Sequence, residues 1–355
     1  MQGKIAEFFE NTNAEAVLLR NSDSAPDANF YYFSGLESGH YSGSSLILKR
    51  NGKPLLLTNA LYSTSIAALR AKKVSSETQL KKILEKEFKG IKKIGLNFDS
   101  YPKNSFLRLK KILPGKSFLD VSKALGKTRE TKTKEEIKKI ETAIKISESA
   151  IKELPVFFRK GMAEKQLALK LELLLREKGD NELAFPTIVA SAKNSSVPHY
   201  FTGNTKIKNG FLLVDFGAKY RNYCSDLSRM FCVGKASAEQ KELYKKIFDA
   251  KQFAKELCFP GADRKEIFGK TNSFLKKNTR LGMIHGLGHG LGLQVHDFPY
   301  GFGEKTGGTL KSGMVLTLEP AIYTKKFGIR IEDDILITKN GCKLLSNAPE
   351  ELVEL

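Results

Sequence analysis

Asp215 and Glu319 each end an apolar run, Asp226 and Glu332 follow them across a turn, and His289 lies in a glycine-rich stretch between the two pairs. Phe211-Leu-Leu-Val-Asp215 is followed eleven residues later by Asp226, across the polar stretch Lys219-Tyr-Arg-Asn222. Two strands joined by a tight turn would set both aspartates on facing positions. Met314-Val-Leu-Thr-Leu-Glu319 repeats the arrangement, with a turn at Lys325-Lys-Phe-Gly328 leading into Ile329-Arg-Ile-Glu332. A carboxylate at the end of a strongly apolar strand is costly to desolvate unless a cation or a donor compensates it, and four together repel one another. Two divalent cations would neutralise that charge. Oxygen ligands with one imidazole suit manganese, cobalt, iron or zinc better than a thiolate-rich site would. Taken singly, each acid also fits the exposed end of a surface hairpin, where most carboxylates lie.

The segment His285-Gly-Leu-Gly-His289-Gly-Leu-Gly-Leu-Gln-Val-His296 holds three of the five histidines in the chain, with four glycines between them. His285 and His289 have the i, i+4 spacing of a helical zinc pair, but the glycines oppose a helix and no Glu follows His285. The spacing is not that of a phosphate-binding GxGxxG loop either. A backbone that closely approaches a metal or a substrate accounts for the glycines.

The elements that must position these groups fall into two parts. A chain of 355 residues exceeds one ordinary hydrophobic core, and 41% hydrophobic residues is normal for a folded soluble protein. Ala16 to Leu19 reads as a short apolar strand, and Ser45 to Leu48 and Leu55 to Leu57 flank a turn at Arg50-Asn51-Gly52-Lys53. Residues 1–126 are therefore expected to form a small α/β domain, and residues 127–355 a second domain of α+β type. Thr133-Lys-Glu-Glu136 is a capping box that opens a helix carrying Ile137, Ile140, Ile144 and Ile151 until Pro155. A second helix runs from Met162 to Lys178 and stops at Gly179, and Ser237-Ala-Glu-Gln240 opens a third. The turn dipeptides Asn209-Gly210 and Ser312-Gly313 precede the two acidic hairpins and point to an internal duplication.

Composition narrows the partners. No run of about 20 apolar residues and no signal-like start is present, so neither membrane insertion nor secretion is expected. Cys224, Cys232, Cys258 and Cys342 have no CxxC spacing and read as packed thiols of a cytoplasmic protein. The net charge of +20 comes from 59 Lys and Arg against 39 Asp and Glu. The lysines from Lys134 to Lys152 alternate with apolar residues at helical spacing, as a solvated helix face does. With no accompanying signature, nucleic acid is not an expected partner.

With these residues in view, the chain resembles the metallopeptidases of the pita-bread fold, in particular Xaa-Pro dipeptidases (prolidases) and Xaa-Pro aminopeptidases. The resemblance rests on Val214-Asp-Phe-Gly-Ala218 with Cys224-Ser-Asp226, and on His285-Gly-Leu-Gly-His289-Gly-Leu-Gly with Val295-His296-Asp297. Leu318-Glu-Pro320, Arg330-Ile-Glu-Asp333 and the stretch from Ala190-Ser-Ala to Val197-Pro-His199 complete it. It implies a C-terminal pita-bread catalytic domain behind a smaller creatinase-type α/β domain. It further implies two divalent metals per subunit (Mn, Co, Zn or Fe), with Asp226 and Glu332 bridging them. Asp215 would complete one site, and His289 with Glu319 the other.

A hydroxide shared by the metals would attack the scissile carbonyl, with Glu319 handling its proton. His199, His285 and His296 would orient a proline-containing peptide, with His199 and His296 also acting in catalysis, and Arg330 would sit behind the site and orient a carboxylate ligand. His285 and His296 also fit packed core histidines, and Arg330 a strand-face ion pair. Relatives of this kind imply a homodimer.

The resemblance leaves the substrate length open. Gln294 and Asp297 depart from the family's usual residues, and the interval from Asp297 to Leu318 holds only Lys305 and Lys311 as cationic partners for a substrate carboxylate. A dipeptidase is favoured by chain length over an aminopeptidase acting on longer peptides. A non-catalytic basic module of the same fold predicts degraded ligands, and all five ligand positions are intact.

Overall fold

Short apolar runs, each closed by a turn or followed by a lysine-rich helix, become the strands of a mixed sheet at the start of the chain. The computed structural model describes residues 2–59, 61–62 and 69–355. The chain divides into two compact units, Met1–Arg129 and Glu130–Leu355. In the first, Ala16–Arg20 (β1), Ser45–Lys49 (β2), Leu55–Thr58 (β3), Arg70–Lys73 (β4), Lys93–Leu96 (β5) and Ser117–Asp120 (β6) form one sheet in the order β4-β3-β2-β1-β5-β6. β2 and β3 pair antiparallel across the Arg50–Lys53 turn, where Gly52 takes the left-handed φ of 103°. β1, β5 and β6 run parallel, which requires crossovers.

The helices of this unit are Gln2–Glu10 (α1), Ala28–Ser34 (α2), Glu77–Glu87 (α3), Lys103–Ile112 (α4) and Ser122–Arg129 (α5). α4 supplies the crossover between β5 and β6. Leu84 of α3 and Leu109 of α4 are buried in one cluster with Leu18, Ile47, Leu57 and Ile94 of the sheet.

The second unit opens on Lys134–Lys152 (α6). Its capping box is formed: Thr133 Oγ1 accepts from the Glu136 amide at 3.3 Å, and Glu136 Oε2 accepts from the Thr133 amide at 2.9 Å. Pro155 lies not in α6 but in a separate turn, Leu154–Phe157 (α7), near whose start a missing N–H costs nothing. Glu164–Lys178 (α8), Ala238–Glu256 (α9) and Arg264–Thr279 (α10) follow. A second capping box, Ser237 with Gln240, opens α9. Sequence periodicity does not reveal α10, because its buried side chains Ile267, Phe268 and Leu275 make a thin stripe beside Gly269.

The strands of this unit are Ile188–Ser191 (β7), Gly210–Phe216 (β8), Lys219–Tyr220 (β9), Tyr223–Cys224 (β10) and Leu227–Val233 (β11). Gly288–Gly290 (β12), Asp297–Phe302 (β13), Val315–Leu318 (β14), Ala321–Tyr323 (β15) and Gly328–Arg330 (β16) come next. Asp333–Ile337 (β17), Cys342–Leu344 (β18) and Val353–Glu354 (β19) close the chain. They form sheets in the orders β19-β11-β8-β7 and β13-β12-β14-β17-β18, with β9-β10 and β15-β16 as small ribbons. The unit is α+β, as its run of hairpins and helices predicts.

β8 shows why its sequence is a continuous apolar run. Leu212, Val214 and Phe216 are buried with Ile151, Leu167 and Leu171 of α6 and α8, while Phe211 and Leu213 are buried with Ile247 of α9, Ile267 of α10 and Leu316 of β14. Each such side chain contributes roughly 1.5–3 kcal/mol of burial free energy. Because side chains alternate along a strand, Asp215 emerges on the Phe211–Leu213 face. The two halves also match in helix length: α6 and α9 each have 19 residues, and α8 and α10 have 15 and 16. Gly210 and Gly313 lead into the two acidic strands at left-handed φ values of 106° and 91°. Among the described residues no helix is long and apolar enough to cross a membrane.

Candidate metal centre and active site

The first acidic pair is built by β8 and β11, in a register that does not set the two aspartates opposite each other. Asp215 stands opposite Ser228, and Phe216 opposite Leu227. Asp226 therefore lies one residue before the paired strand and is diagonal to Asp215, not facing it. The connection is a two-residue tight turn: Arg221 and Asn222, at φ values of 48° and 69°, join β9 to β10, which pair Tyr220 with Tyr223 and Lys219 with Cys224 in the register that β8 and β11 keep. The second pair lies just beyond the last paired residues of β14 and β17, Leu318 and Asp333, which are followed and preceded by Glu319 and Glu332.

The histidine-glycine segment forms the short strand β12 and no helix. Its glycines serve neighbouring strands rather than a metal or a substrate. A Cβ on Gly288 would lie 2.0 Å from the Thr317 carbonyl oxygen, one on Gly290 would lie 2.4 Å from the Asp297 carbonyl oxygen, and one on Gly286 would lie 2.6 Å from that of Phe302. Only residues without a side chain let the backbones of β13 and β14 close in on both sides of His289.

All nine residues singled out from sequence line one cleft of about 900 Å³: Asp215, Asp226, His289, Glu319 and Glu332, with His199, His285, His296 and Arg330. Asp226, His289 and Glu332 each offer a ligand atom, and these atoms lie within 4.8 Å of one another. His289 Nε2 is 3.4 Å from Asp226 Oδ2 and 3.9 Å from Glu319 Oε1. Its Nδ1 lies 3.2 Å from the Gly290 carbonyl oxygen, which can only accept, so the proton sits on Nδ1 and the Nε2 lone pair faces the carboxylates. The His296 ring is 4.1 Å from that of His289, centroid to centroid, and both His296 and His199 are open to the cleft.

The centre is electrostatically incomplete without a cation. Burial first, and then repulsion by Glu332 and Asp215, hold the Asp226 carboxyl well above the ordinary carboxylate range. Burial and Glu332 do the same to Glu319, and burial with Asp215 raises Glu332 to about 7. Asp215 Oδ1 is buried without a hydrogen-bond partner. An orphaned carboxylate oxygen, three carboxyls that resist ionisation and an imidazole lone pair aimed among them are what an oxygen-and-nitrogen site for divalent metal presents. The residues fit such an ion.

Several supporting residues were not legible from motif spacing. Arg330 Nη2 donates to Asp215 Oδ2 at 2.6 Å, and its Nε donates to Ser228 Oγ at 2.9 Å. The Ser228 hydroxyl in turn donates to Glu332 Oε2 at 2.8 Å. Arg330 Nη1 donates to the Tyr323 hydroxyl at 2.7 Å, and that hydroxyl lies 3.0 Å from His285 Nε2. His285 Nδ1 donates to the Gly286 carbonyl, so Nε2 accepts from Tyr323. Burial pushes the His285 ring down to about 4, which leaves it neutral. Behind Glu332, Arg229 donates to the Glu332 carbonyl at 2.6 Å and pairs with Asp333 at 2.5 Å, and Lys251 also pairs with Asp333. One signal was available for this last group: Arg229 is the one charged residue in the fully buried strand Leu227–Val233.

Fold and site together define a metallopeptidase. The chain belongs to metallopeptidase family M24, whose model matches residues 138–339, and a Creatinase/Prolidase N-terminal domain matches residues 3–131. It is similar to an Xaa-Pro dipeptidase of Pyrococcus horikoshii, at 34% identity over 99% of this chain and 97% of that protein. Among solved structures it resembles the X-Pro aminopeptidase from Thermotoga maritima, with a TM-score of 0.89 at 30% identity, over 98% of this chain and 99% of that one. It also resembles the prolidase from Pyrococcus horikoshii, with a TM-score of 0.87 at 32% identity, over 99% of both chains. It is a metal-dependent peptidase with a creatinase-type N-terminal domain and a pita-bread catalytic domain.

Proposed function

We infer that the chain hydrolyses the Xaa-Pro bond at the N-terminus of dipeptides or short peptides, using two divalent ions (Mn, Co, Zn or Fe) held by Asp215, Asp226, His289, Glu319 and Glu332. The observation that carries this reading is the approach of ligand atoms from Asp226, His289 and Glu332 to within 4.8 Å of one another, among carboxyls that burial keeps from ionising alone. When bound, divalent metal lowers the pKa of water and polarises a carbonyl. The residues of the chain do the rest. Glu319, beside His289 and with Oε2 3.9 Å from His285 Nδ1, accepts the proton of the attacking water. His199 and His296, open to the cleft, hold the scissile peptide and stabilise the charge that develops on it. His285 stays neutral and fixed by Tyr323, so it shapes the pocket without adding charge.

The dipeptidase reading is favoured by the full-length likeness to proteins named Xaa-Pro dipeptidase, and the aminopeptidase reading by the likeness to the X-Pro aminopeptidase from Thermotoga maritima. Lys305 at the cleft is the cation available to a free substrate carboxylate from the loop after His296, though it lacks bidentate geometry. The test is cleavage by the metal-reconstituted protein of an Xaa-Pro dipeptide beside an Xaa-Pro-Yaa tripeptide. Sole cleavage of the first supports the dipeptidase, sole cleavage of the second the aminopeptidase, and cleavage of neither contradicts both. The same reading puts the protein in the cytoplasm as a homodimer. Four free cysteines agree with a reducing compartment, and sizing of the purified protein tests the dimer.

A further inference from the structure

The matching starts of α8 and α10 hold two buried charges that the metal centre does not use. Gly161-Met-Ala-Glu164 leads into α8, and Gly261-Ala-Asp-Arg264 leads into α10, so Glu164 and Arg264 are each the first residue of their helix. An isolated bridge lies just before each, Ala163 with Lys206 and Asp263 with Thr309. Glu164 is fully buried and Arg264 is 7% exposed.

Each of the two side chains grips one segment of the cleft wall. Glu164 Oε1 accepts from the Ser191 amide at 2.7 Å, the Ser191 hydroxyl at 2.9 Å and Asn194 Nδ2 at 3.0 Å. Its Oε2 accepts from the Tyr200 hydroxyl at 2.9 Å. The first amides of α8 add to the grip, Glu164 donating to the Thr205 carbonyl and Lys165 to that of Gly203, both at 2.9 Å. The segment so held carries His199 into the cleft, and its Pro198 carbonyl accepts from Arg330 Nη1 at 3.2 Å.

Arg264 grips carbonyls instead. Its Nη1 donates to Tyr300 and, at 3.2 Å, to Gly301, its Nη2 donates to Gly307, and its Nε donates to Gly308 at 3.2 Å. Those four carbonyls bracket the stretch that brings Tyr300, Glu304 and Lys305 to the cleft.

The chemistry of the two grips is complementary. A carboxylate only accepts and meets N–H and O–H donors, whereas a guanidinium only donates and meets carbonyls. A buried charge is tolerated only when hydrogen bonds satisfy it, and here those bonds go almost wholly to the two wall segments. We propose that Glu164 and Arg264 are equivalent positioning residues of the duplicated fold. Glu164 sets the place of His199, and Arg264 sets the rim from Tyr300 to Lys305 that decides how long a peptide enters. The meaning given to the two walls rests on the Xaa-Pro peptidase reading.

Arg264→Met and Glu164→Gln test this, with Gly308→Ala and Tyr200→Phe as milder partners. A Cβ on Gly308, at φ +105°, would lie 2.9 Å from Arg264 Nη2 and push the guanidinium off the rim. Steady-state kinetics on a dipeptide and a tripeptide, metal content, and hydrogen–deuterium exchange are read together. Arg264→Met is expected to raise KM at least tenfold, hold kcat within threefold, shift the dipeptide-to-tripeptide ratio of kcat/KM at least fivefold, and speed exchange only in 300–308. Arg264→Lys recovers part of each change.

Glu164→Gln is expected to lower kcat at least tenfold with KM within threefold, and to speed exchange only in 191–205. Metal content stays at the wild-type level in all. If either first variant does not fold, Gly308→Ala and Tyr200→Phe must show the same signature in smaller measure. Wild-type kinetics and exchange in those variants, or changes spread evenly over residues 130–355, overturn the proposal. A wild type that cleaves no Xaa-Pro peptide contradicts the proposed function instead, and the exchange pattern then judges the two grips alone.

Discussion

Arg330 Nη2 donates to Asp215 Oδ2 at 2.6 Å and leaves Oδ1 of the same carboxylate buried without a partner. One oxygen is fixed by a planar donor, and the other is available to a cation. The same guanidinium reaches Glu332 through Ser228 and His285 through Tyr323, so one side chain orients two proposed ligands and one pocket histidine. Arg330→Met should therefore weaken metal binding about 10- to 100-fold, the usual effect of removing a group that orients a ligand. Arg330→Lys should recover little, since an ammonium cannot reach Asp215, Ser228 and Tyr323 together. Competition with a metallochromic chelator measures both.

Stability of the metal-free protein should fall as pH rises. Asp226, Glu319 and Glu332 are raised above their ordinary values, Glu332 to about 7, by burial first and then by neighbouring carboxylates, Asp215 among them. In the unfolded chain they ionise at ordinary values, so between those values and about pH 7 the folded state holds more protons than the unfolded one. Their stabilising contribution is complete below the ordinary carboxylate range and disappears as pH rises through the folded values. Melting temperatures of chelator-treated protein should drop between about pH 5 and 8. Added manganese or zinc should flatten that drop, and a metal-free curve that rises over this range would count against the cluster.

Asp333 should matter for the fold more than any surface acid. Burial pushes its carboxyl up, but Arg229 and Lys251 together outweigh that and hold it below the ordinary range. Asp333→Ala leaves the buried Arg229 guanidinium without its carboxylate and Lys251 with Glu350 alone, and should cost about 3–5 kcal/mol. Glu141→Ala, which breaks a pair with the exposed Lys343, should cost at most about 1 kcal/mol. Urea unfolding of the two variants provides the comparison.

Local signals were the legible ones. The capping boxes at Thr133 and Ser237, the turn at Gly52 and the apolar run of β8 each have a sequence cause within a few residues, and each forms. The nine cleft residues were found because their motifs are local too. Spacing alone sets Asp226 opposite Asp215, because it does not show that the turn is centred on Arg221 and Asn222, whose left-handed conformations put Ser228 opposite Asp215 instead. Ser228 joins Arg330 to Glu332 from more than a hundred residues away, and Tyr323 joins Arg330 to His285, 38 residues before it, so no local window of sequence contains either relay.

The glycines of β12 yield a sharp steric prediction. Gly288→Ala would place a methyl 2.0 Å from the Thr317 carbonyl oxygen, so β12 and β14 must separate. Overpacking of this kind commonly costs about 1–3 kcal/mol and more where backbone blocks backbone. His289 is the next residue of β12 and moves with it, so this variant should lose metal affinity together with stability. Gly307→Ala, with nothing within 4 Å of an added Cβ, should keep both. Thermal melts with and without added metal distinguish them.

The most direct measurement is the metal content of chelator-stripped, reconstituted protein, determined by elemental analysis beside its cleavage of an Xaa-Pro dipeptide, for the wild type and for Glu332→Gln. The wild type should hold two ions per chain and cleave, and Glu332→Gln should lose ions and activity together while remaining folded. A wild type that retains no ion, or a Glu332→Gln variant with unchanged ion content and rate, would contradict a metal centre built on these carboxylates.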